Sequence, residues 1–184
     1  MTSREIILGK IRKNKPDSIE HPGIPDFSWP GEDPIDRFGV KLSQIGGEVQ
    51  LVESYTEALQ KVDKLEGNVV KYLVSEDRVL NDEEPETTVI NGELAVVENA
   101  AVFVNVDRLP ERFVPFLGER LIVLVQKDKI YKHLHEAYDH LDLNQIGFGI
   151  YIAGPSATAD IAQILVRGAH GPSKMEVWFY NDRK

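Results

Sequence analysis

The chain has 184 residues, of which 42% are hydrophobic and 28% are charged, as is usual for a globular protein. This length predicts one domain, because a chain of this size buries about 70% of its unfolded surface on folding. The net charge of −9 argues against a general binder of nucleic acid or anionic membranes, since both need a cationic face. Cysteine is absent, which excludes disulfides, thiolate zinc sites, a cysteine nucleophile and iron–sulfur clusters held by this chain.

The first 34 residues divide into two segments of different composition. Residues 1–15 predict a helix with isoleucines on one side and basic residues behind, and their short apolar run predicts neither a signal peptide nor membrane insertion. We therefore expect a cytoplasmic protein. Residues 16–34 hold five of the ten prolines, which cannot join a helix or a central strand. With Phe27 and Trp29 between them, they predict an extended arm on its own domain or on a second subunit, as in a homo-oligomer.

Residues 35–184 alternate between helical and strand patterns. Asp33 before Pro34 predicts a helix start, Gly46-Gly47 predicts its end, and an apolar strand follows at 49–52. Ser54 with Glu57 then predicts a second helix, and residues 69–74 predict a buried strand. This alternation predicts a single α/β domain whose mainly parallel open sheet is flanked by helices.

Further elements follow in chain order. We expect an acidic loop at 76–86 and strands at 94–97, 101–106, 121–125, 146–153 and 175–180, with a helix at 128–141. The segments 69–74, 121–125 and 146–152 are expected to be interior strands. His133 and His140 would lie about 10.5 Å apart along the predicted helix, with His135 on another side, so these histidines cannot bind one zinc ion together. No metal site is expected.

The loop after the strand at 146–153 is the strongest candidate for a binding site. Its sequence, Gly154-Pro-Ser-Ala-Thr-Ala-Asp160-Ile161, predicts a helix start with Ser156 or Thr158 as the N-cap. A helix start at the carboxyl edge of a parallel sheet is a common anion site. Arg167 and His170 would add positive charge if the next turn folds back over this one. An ordinary helix start explains the same residues, since Asp160 suits any first turn.

The two-part pattern of Gly154-Pro-Ser-x-Thr-Ala-Asp-Ile161 and Arg167-Gly-x-His-Gly-Pro172 resembles the closing signature of the LUD-domain family, in its LutC/YkgG branch of lactate-utilisation proteins. Ala95-Val-Val-Glu98 resembles the family's Ala-x-Ala-Glu segment, and Asn99-Ala100-Ala101 stands where Thr-Gly-Thr is usual. The resemblance implies a fold similar to the NagB/RpiA/CoA-transferase group. It also implies a subunit that acts beside iron–sulfur partner subunits in oxidising L-lactate to pyruvate.

Glu98 is the candidate catalytic residue, because a carboxylate on an apolar strand can act as a base or nucleophile. Alternatively, it accepts backbone N–H groups of the Gly154 loop and braces the site. We expect a small-anion pocket at the carboxyl ends of the strands, where Glu98 meets the ligand-binding candidates. These are Asn99, Gly154, Ser156, Thr158, Asp160, Arg167, His170 and Gly171. Two other functions remain open: a stand-alone enzyme of the sugar-isomerase or CoA-transferase type that uses Glu98, and a metabolite-binding module.

Overall fold

A computed structural model describes residues 2–20, 22–23, 25, 27, 31–73, 85–158 and 166–181. Its helices are α1 (Ser3–Lys13), α2 (Pro34–Gln44), α3 (Tyr55–Val62) and α4 (Leu134–Asp139). Its strands are β1 (Glu48–Val52), β2 (Val69–Tyr72), β3 (Thr87–Asn91), β4 (Leu94–Val96), β5 (Ala101–Asn105), β6 (Arg120–Gln126), β7 (Ile130–Tyr131), β8 (Gly149–Ile152), β9 (Ala157–Thr158), β10 (Val166–Arg167) and β11 (Lys174–Tyr180). Most of the acidic segment 76–86, together with Trp29 and Asp160, falls outside the described residues.

The central sheet is parallel throughout, in the order β1-β11-β6-β3-β2. This confirms the α/β fold with a mainly parallel sheet, and β6 is the interior strand that the sequence predicted. The prediction for 69–74 was wrong in its position, because β2 is the last strand of the described sheet. Only Val70 of β2 is buried, so the apolar run indicated a strand but neither its depth nor the number of strands beside it.

A second sheet has four strands in the order β7-β4-β5-β8 and is mostly antiparallel. Among the described strands β8 is the last of this sheet, so the segment 146–152, expected to be an interior strand, lies at its edge and is shorter than predicted. The helix predicted at 128–141 was also wrong in its first half, because Ile130 and Tyr131 form β7 and pair with β4. A β-branched and an aromatic residue favour a strand once a partner strand is present. Only Leu134–Asp139 is helical, as α4.

Helices cover both faces of the parallel sheet. Trp178 belongs to a buried cluster with Ala58 and Val62 of α3. Its neighbour Phe179 contacts Phe38 of α2, with ring centroids 5.4 Å apart. Because successive side chains of a strand point to opposite faces, α2 and α3 lie on opposite sides of the sheet.

The helix starts predicted for α2 and α3 are confirmed by their caps. The side chain of Asp33 accepts a hydrogen bond from the Ile35 backbone N–H at 2.8 Å. The hydroxyl of Ser54 accepts one from the Glu57 N–H at 3.2 Å. Both contacts satisfy backbone donors that a first helical turn leaves without partners.

Residues 1–31 form a compact unit separate from residues 32–184. In the first unit, α1 begins with a capping box in which Thr2 and Glu5 exchange hydrogen bonds. Its isoleucines Ile6, Ile7 and Ile11 are exposed. Among the described residues, no helix has both the length and the apolar character needed to cross a membrane.

Candidate functional site

The candidate site lies at one end of the four-stranded sheet. The turn between β4 and β5 carries Glu98, and β8 runs antiparallel to β5, so the Gly154 loop (residues 154–158) leaves from this same end. The last turn of α2 contacts both segments. The Lys41 ammonium donates a hydrogen bond to the Glu98 carbonyl oxygen at 2.7 Å, and Ile45 packs against Gly154. The two sequence motifs are therefore joined through α2.

The turn after Glu98 has an unusual backbone at Ala100. This residue has a φ of 52°, in the left-handed region that favours glycine, and it is 1% exposed. The side chain of Asn99 accepts a hydrogen bond from the Ala101 N–H at 3.2 Å. Ala100 occupies the position where the resembling family has glycine, so the turn keeps a glycine conformation without the glycine.

The carboxylate of Glu98 contacts the imidazole of His133, with Oε2 and Nδ1 3.0 Å apart. The imidazole is largely buried, with 11% of the side chain exposed, whereas 37% of the Glu98 side chain is exposed. The His133 ring also stacks on His135, with centroids 5.4 Å apart. The expected brace to backbone N–H groups of the Gly154 loop is thus replaced by a carboxylate–imidazole contact. Such a contact fixes the orientation of the ring.

The sequence predicted a helix start with Ser156 or Thr158 as its N-cap, and Ser156 does not begin a helix. A helix that begins after Thr158 would lie outside the described residues. Ala157 and Thr158 form β9, which pairs antiparallel with β10, so this segment is extended. The Ser156 N–H donates to the Pro172 carbonyl at 2.8 Å, and the Gly168 N–H donates to the Ser156 carbonyl at 3.0 Å. These bonds tie the first half of the motif to the second half, and they leave Ser156 as part of a hairpin instead of an N-cap.

A cavity of about 270 Å³ lies beneath this hairpin and is called the loop cavity here. Its polar side chains are Ser156 and His170, and Gly154 contributes backbone. The remaining walls are mostly apolar, from Pro115, Phe116, Leu121, Ile152, Ala157, Pro172 and Met175. The loop cavity thus combines two hydrogen-bonding side chains with apolar walls, and this combination suits a small organic ligand.

The loop cavity does not lie at the carboxyl ends of the parallel strands, contrary to the expectation. Leu121 and Met175 are the second residues of β6 and β11, so the cavity is at their amino ends. The reason is that β8 belongs to the antiparallel sheet, and its carboxyl end does not share an edge with those of β6 and β11.

Several other predicted site residues do not line the loop cavity. Glu98, Asn99, Thr158 and Arg167 are not among its lining residues, and Gly171 lies beside Ser156 and Phe116. The Arg167 guanidinium packs against Gly46 so closely that a Cβ there would overlap it. Because Gly46 follows the carboxyl end of α2, this position places a cation beside helix carbonyl groups, where it is stabilising.

Sequence reasoning missed two features. His133 was considered only as a residue of the predicted helix at 128–141. Its contact with Glu98 depends on the pairing of β4 with β7, which no local pattern indicates. A second cavity, of about 240 Å³, lies at the carboxyl ends of four parallel strands. Its signal was a polar residue directly after an apolar run in two of these strands, where Asn91 follows Ile90 and Gln126 follows Val125.

Comparison with known proteins identifies the family. The sequence model of the LUD domain matches residues 86–180, which is just over half of the chain. The chain belongs to the LUD-domain family. The matched range contains Glu98, His133, the Gly154 loop and His170, so the whole candidate site lies within the LUD domain.

Two individual proteins resemble this LUD protein. Lactate utilization protein C of Bacillus velezensis is 35% identical over 98 residues, which cover 50% of this chain and 40% of the relative. The match thus spans less than half of that relative's length. The crystal structure of a DUF162 family protein from Deinococcus radiodurans superimposes with a TM-score of 0.58 at 12% identity, covering 80% of this chain and 96% of the other. This likeness shows a shared fold.

Proposed function

We propose that this LUD-domain protein is a subunit of a cytoplasmic lactate-utilisation system that oxidises L-lactate to pyruvate. The observation that carries the proposal is the 35% identity to Lactate utilization protein C, together with a LUD-domain match that contains the whole candidate site. The absence of cysteine from the sequence supports a division of labour. Iron–sulfur clusters need thiolate ligands, so partner subunits would hold them and carry the electrons.

The contribution of this chain to the system is a pocket for a small carboxylate, and the loop cavity has suitable chemistry. The hydroxyl of Ser156 and the imidazole of His170 can donate hydrogen bonds to a carboxylate. Phe116 and Met175 provide an apolar wall for a methyl group. Lactate and pyruvate each carry one carboxylate and one methyl group, so their two ends match the two kinds of wall.

In this proposal Glu98 positions residues and does not react. Its carboxylate orients His133, and its carbonyl oxygen receives the Lys41 ammonium at 2.7 Å, which joins the β4–β5 turn to α2. The alternative, a stand-alone enzyme that uses Glu98 as its reacting carboxylate, requires Glu98 to contact the substrate. The position of Glu98 outside the lining of the loop cavity favours the positioning role.

The test is to purify the native complex through a tag on this subunit, measure its iron content and follow lactate-dependent reduction of a dye. We expect iron in the partner subunits and dye reduction that is lost when this subunit is omitted. Ser156→Ala with His170→Ala should raise the lactate concentration needed for half-maximal rate. His140→Ala is the matched control, because His140 stacks on Tyr131 outside the loop cavity. Purification without iron-containing partners, with no lactate-dependent activity, would refute the proposal.

A further inference from the structure

The second cavity lies where open parallel sheets usually bind ligands. Four of its lining residues, Tyr72, Asn91, Gln126 and Tyr180, are the last residues of β2, β3, β6 and β11. The other lining residues are Gly92, Glu93, Asn105, Arg108, Leu109 and Lys129. We call it the strand-end cavity. Its position at the carboxyl ends of adjacent parallel strands is the position expected of a ligand crevice in this class of sheet.

The backbone around the strand-end cavity is held firmly by packing. A Cβ on Gly92 would lie 2.5 Å from Cγ1 of Val102 and 2.9 Å from Cγ2 of Val125. The backbone at Gly92 therefore packs directly against the buried valines between the two sheets. Its neighbours Asn91 and Glu93, which line the cavity on either side, are fixed as a consequence. A preformed site of this kind loses little conformational entropy when a ligand binds.

Three carboxamides and two phenols give the strand-end cavity many hydrogen-bonding groups. Asn91 and the Tyr55 hydroxyl lie 3.3 Å apart, which orients that carboxamide. Asn105 is only 7% exposed, and its Oδ1 accepts a hydrogen bond from the Asp107 N–H at 3.2 Å. Its carboxamide nitrogen carries two further donors. Carboxamides both donate and accept, so such a lining suits hydroxyl groups, which do the same.

The charged residues of the strand-end cavity favour an anion. Arg108 and Lys129 are cationic and Glu93 is anionic, which leaves one positive charge in excess on a chain of net charge −9. Arg108 Nη1 and Glu93 Oε1 lie 2.8 Å apart, which places the guanidinium beside this carboxylate at the edge of the cavity. Lys129 closes the turn after β6, because the Lys129 N–H donates a hydrogen bond to the Gln126 carbonyl at 3.0 Å.

We propose that the strand-end cavity is a second binding site, for a small organic anion that carries hydroxyl groups. Lys129 and Arg108 attract the anionic group, and the carboxamides of Asn91 and Asn105 bind the hydroxyl groups. A carboxylate and a phosphate share the required charge, so both are included as probes. This site goes beyond the proposed lactate-related function, because it uses none of the residues of the loop cavity.

The test is isothermal titration of the full chain with five probes. Glycerate and glycerol 3-phosphate combine an anion with hydroxyl groups, whereas acetate and inorganic phosphate lack carbon-bound hydroxyls and glycerol lacks charge. We expect one of the first two to bind one-to-one and at least about tenfold more tightly than its simpler anion, because several neutral hydrogen bonds are added. Whichever of the two binds identifies the anionic group.

Variants assign the binding to the strand-end cavity. Lys129→Ala should weaken binding by about tenfold or more, as expected for a lost charged hydrogen bond. Lys127→Ala is the matched control, since Lys127 lies in the same turn but does not line the cavity. His170→Ala should leave this binding unchanged, which separates it from the loop cavity. The proposal is overturned if neither probe binds at about 10 mM, or if Lys129→Ala binds them as tightly as the unaltered chain.

Discussion

The conformational strain in the turn beside Glu98 can be measured by substituting two adjacent alanines, Ala100 and Ala101. Ala100 and Ala101 are each 1% exposed, but only Ala100 has a left-handed backbone, with a φ of 52°. Ala101 begins strand β5. The substitutions Ala100→Gly and Ala101→Gly therefore delete the same buried methyl group from two neighbouring positions that differ in backbone conformation.

The two substitutions share two destabilising effects and differ in one stabilising effect. Loss of a buried methyl group costs about 0.8 kcal/mol, and the greater freedom of glycine in the unfolded chain costs about 0.5–1 kcal/mol. Ala101→Gly should therefore destabilise the protein by about 1.3–1.8 kcal/mol. Ala100→Gly relieves about 1–2 kcal/mol of left-handed strain and should be close to neutral.

Urea unfolding followed by circular dichroism measures both free energies, and an unchanged slope against denaturant shows that the change is in stability. The difference between the two variants should be about 1–2 kcal/mol in favour of Ala100→Gly. Equal destabilisation by both substitutions would show that Ala100 carries no strain in the folded protein. The turn that carries Glu98 and Asn99 would then form without conformational strain.

Three further predictions concern charged residues. Arg167→Ala should lower the free energy of unfolding in urea by about 0.3–1 kcal/mol if the guanidinium stabilises the end of α2. Unchanged stability together with weaker lactate binding would instead show that Arg167 contacts the ligand. Glu98→Gln should change the lactate-dependent rate of the complex by no more than about twofold, since glutamine still accepts a hydrogen bond from His133. A large loss of rate at unchanged stability would favour the catalytic role of Glu98. The backbone N–H of Glu53 lowers the pKa of the Glu57 carboxyl, so its stabilisation is present at neutral pH and is lost as the pH falls through the lowered pKa. Glu57→Gln should therefore flatten the acid side of a pH–stability curve, and an unchanged curve would contradict this assignment.

Local chemistry determined which elements were predictable. The caps at Asp33 and Ser54 are made within three residues along the chain, so the sequence contains all that is needed to start α2 and α3. The segment 130–131 has helical periodicity, but it forms strand β7 because it pairs with β4. This partner lies more than thirty residues away along the chain. Periodicity cannot report such a partner, and pairing outweighs the local preference.

The same distinction applies to the candidate site. The motif residues Gly154, Ser156 and His170 do share one cavity, as their clustering in the sequence suggested. The alternative in which Ser156 is a helix N-cap was wrong, since the Ser156 N–H instead donates a hydrogen bond to the Pro172 carbonyl, sixteen residues away. Side-chain composition therefore indicated only part of the set, because Glu98, Asn99, Thr158 and Arg167 do not line the loop cavity.

The two cavities lie at opposite ends of the same two strands. In β6, Leu121 lines the loop cavity and Gln126 lines the strand-end cavity. In β11, Met175 and Tyr180 do the same. Five residues of strand span about 16 Å, which is too far for one small ligand to contact both cavities. If both sites are occupied, β6 and β11 connect them directly, because each strand contributes a lining residue to both cavities. Any coupling between the two ligands must then be reciprocal: if lactate changes the affinity of the hydroxylated anion, that anion must change the affinity of lactate by the same factor.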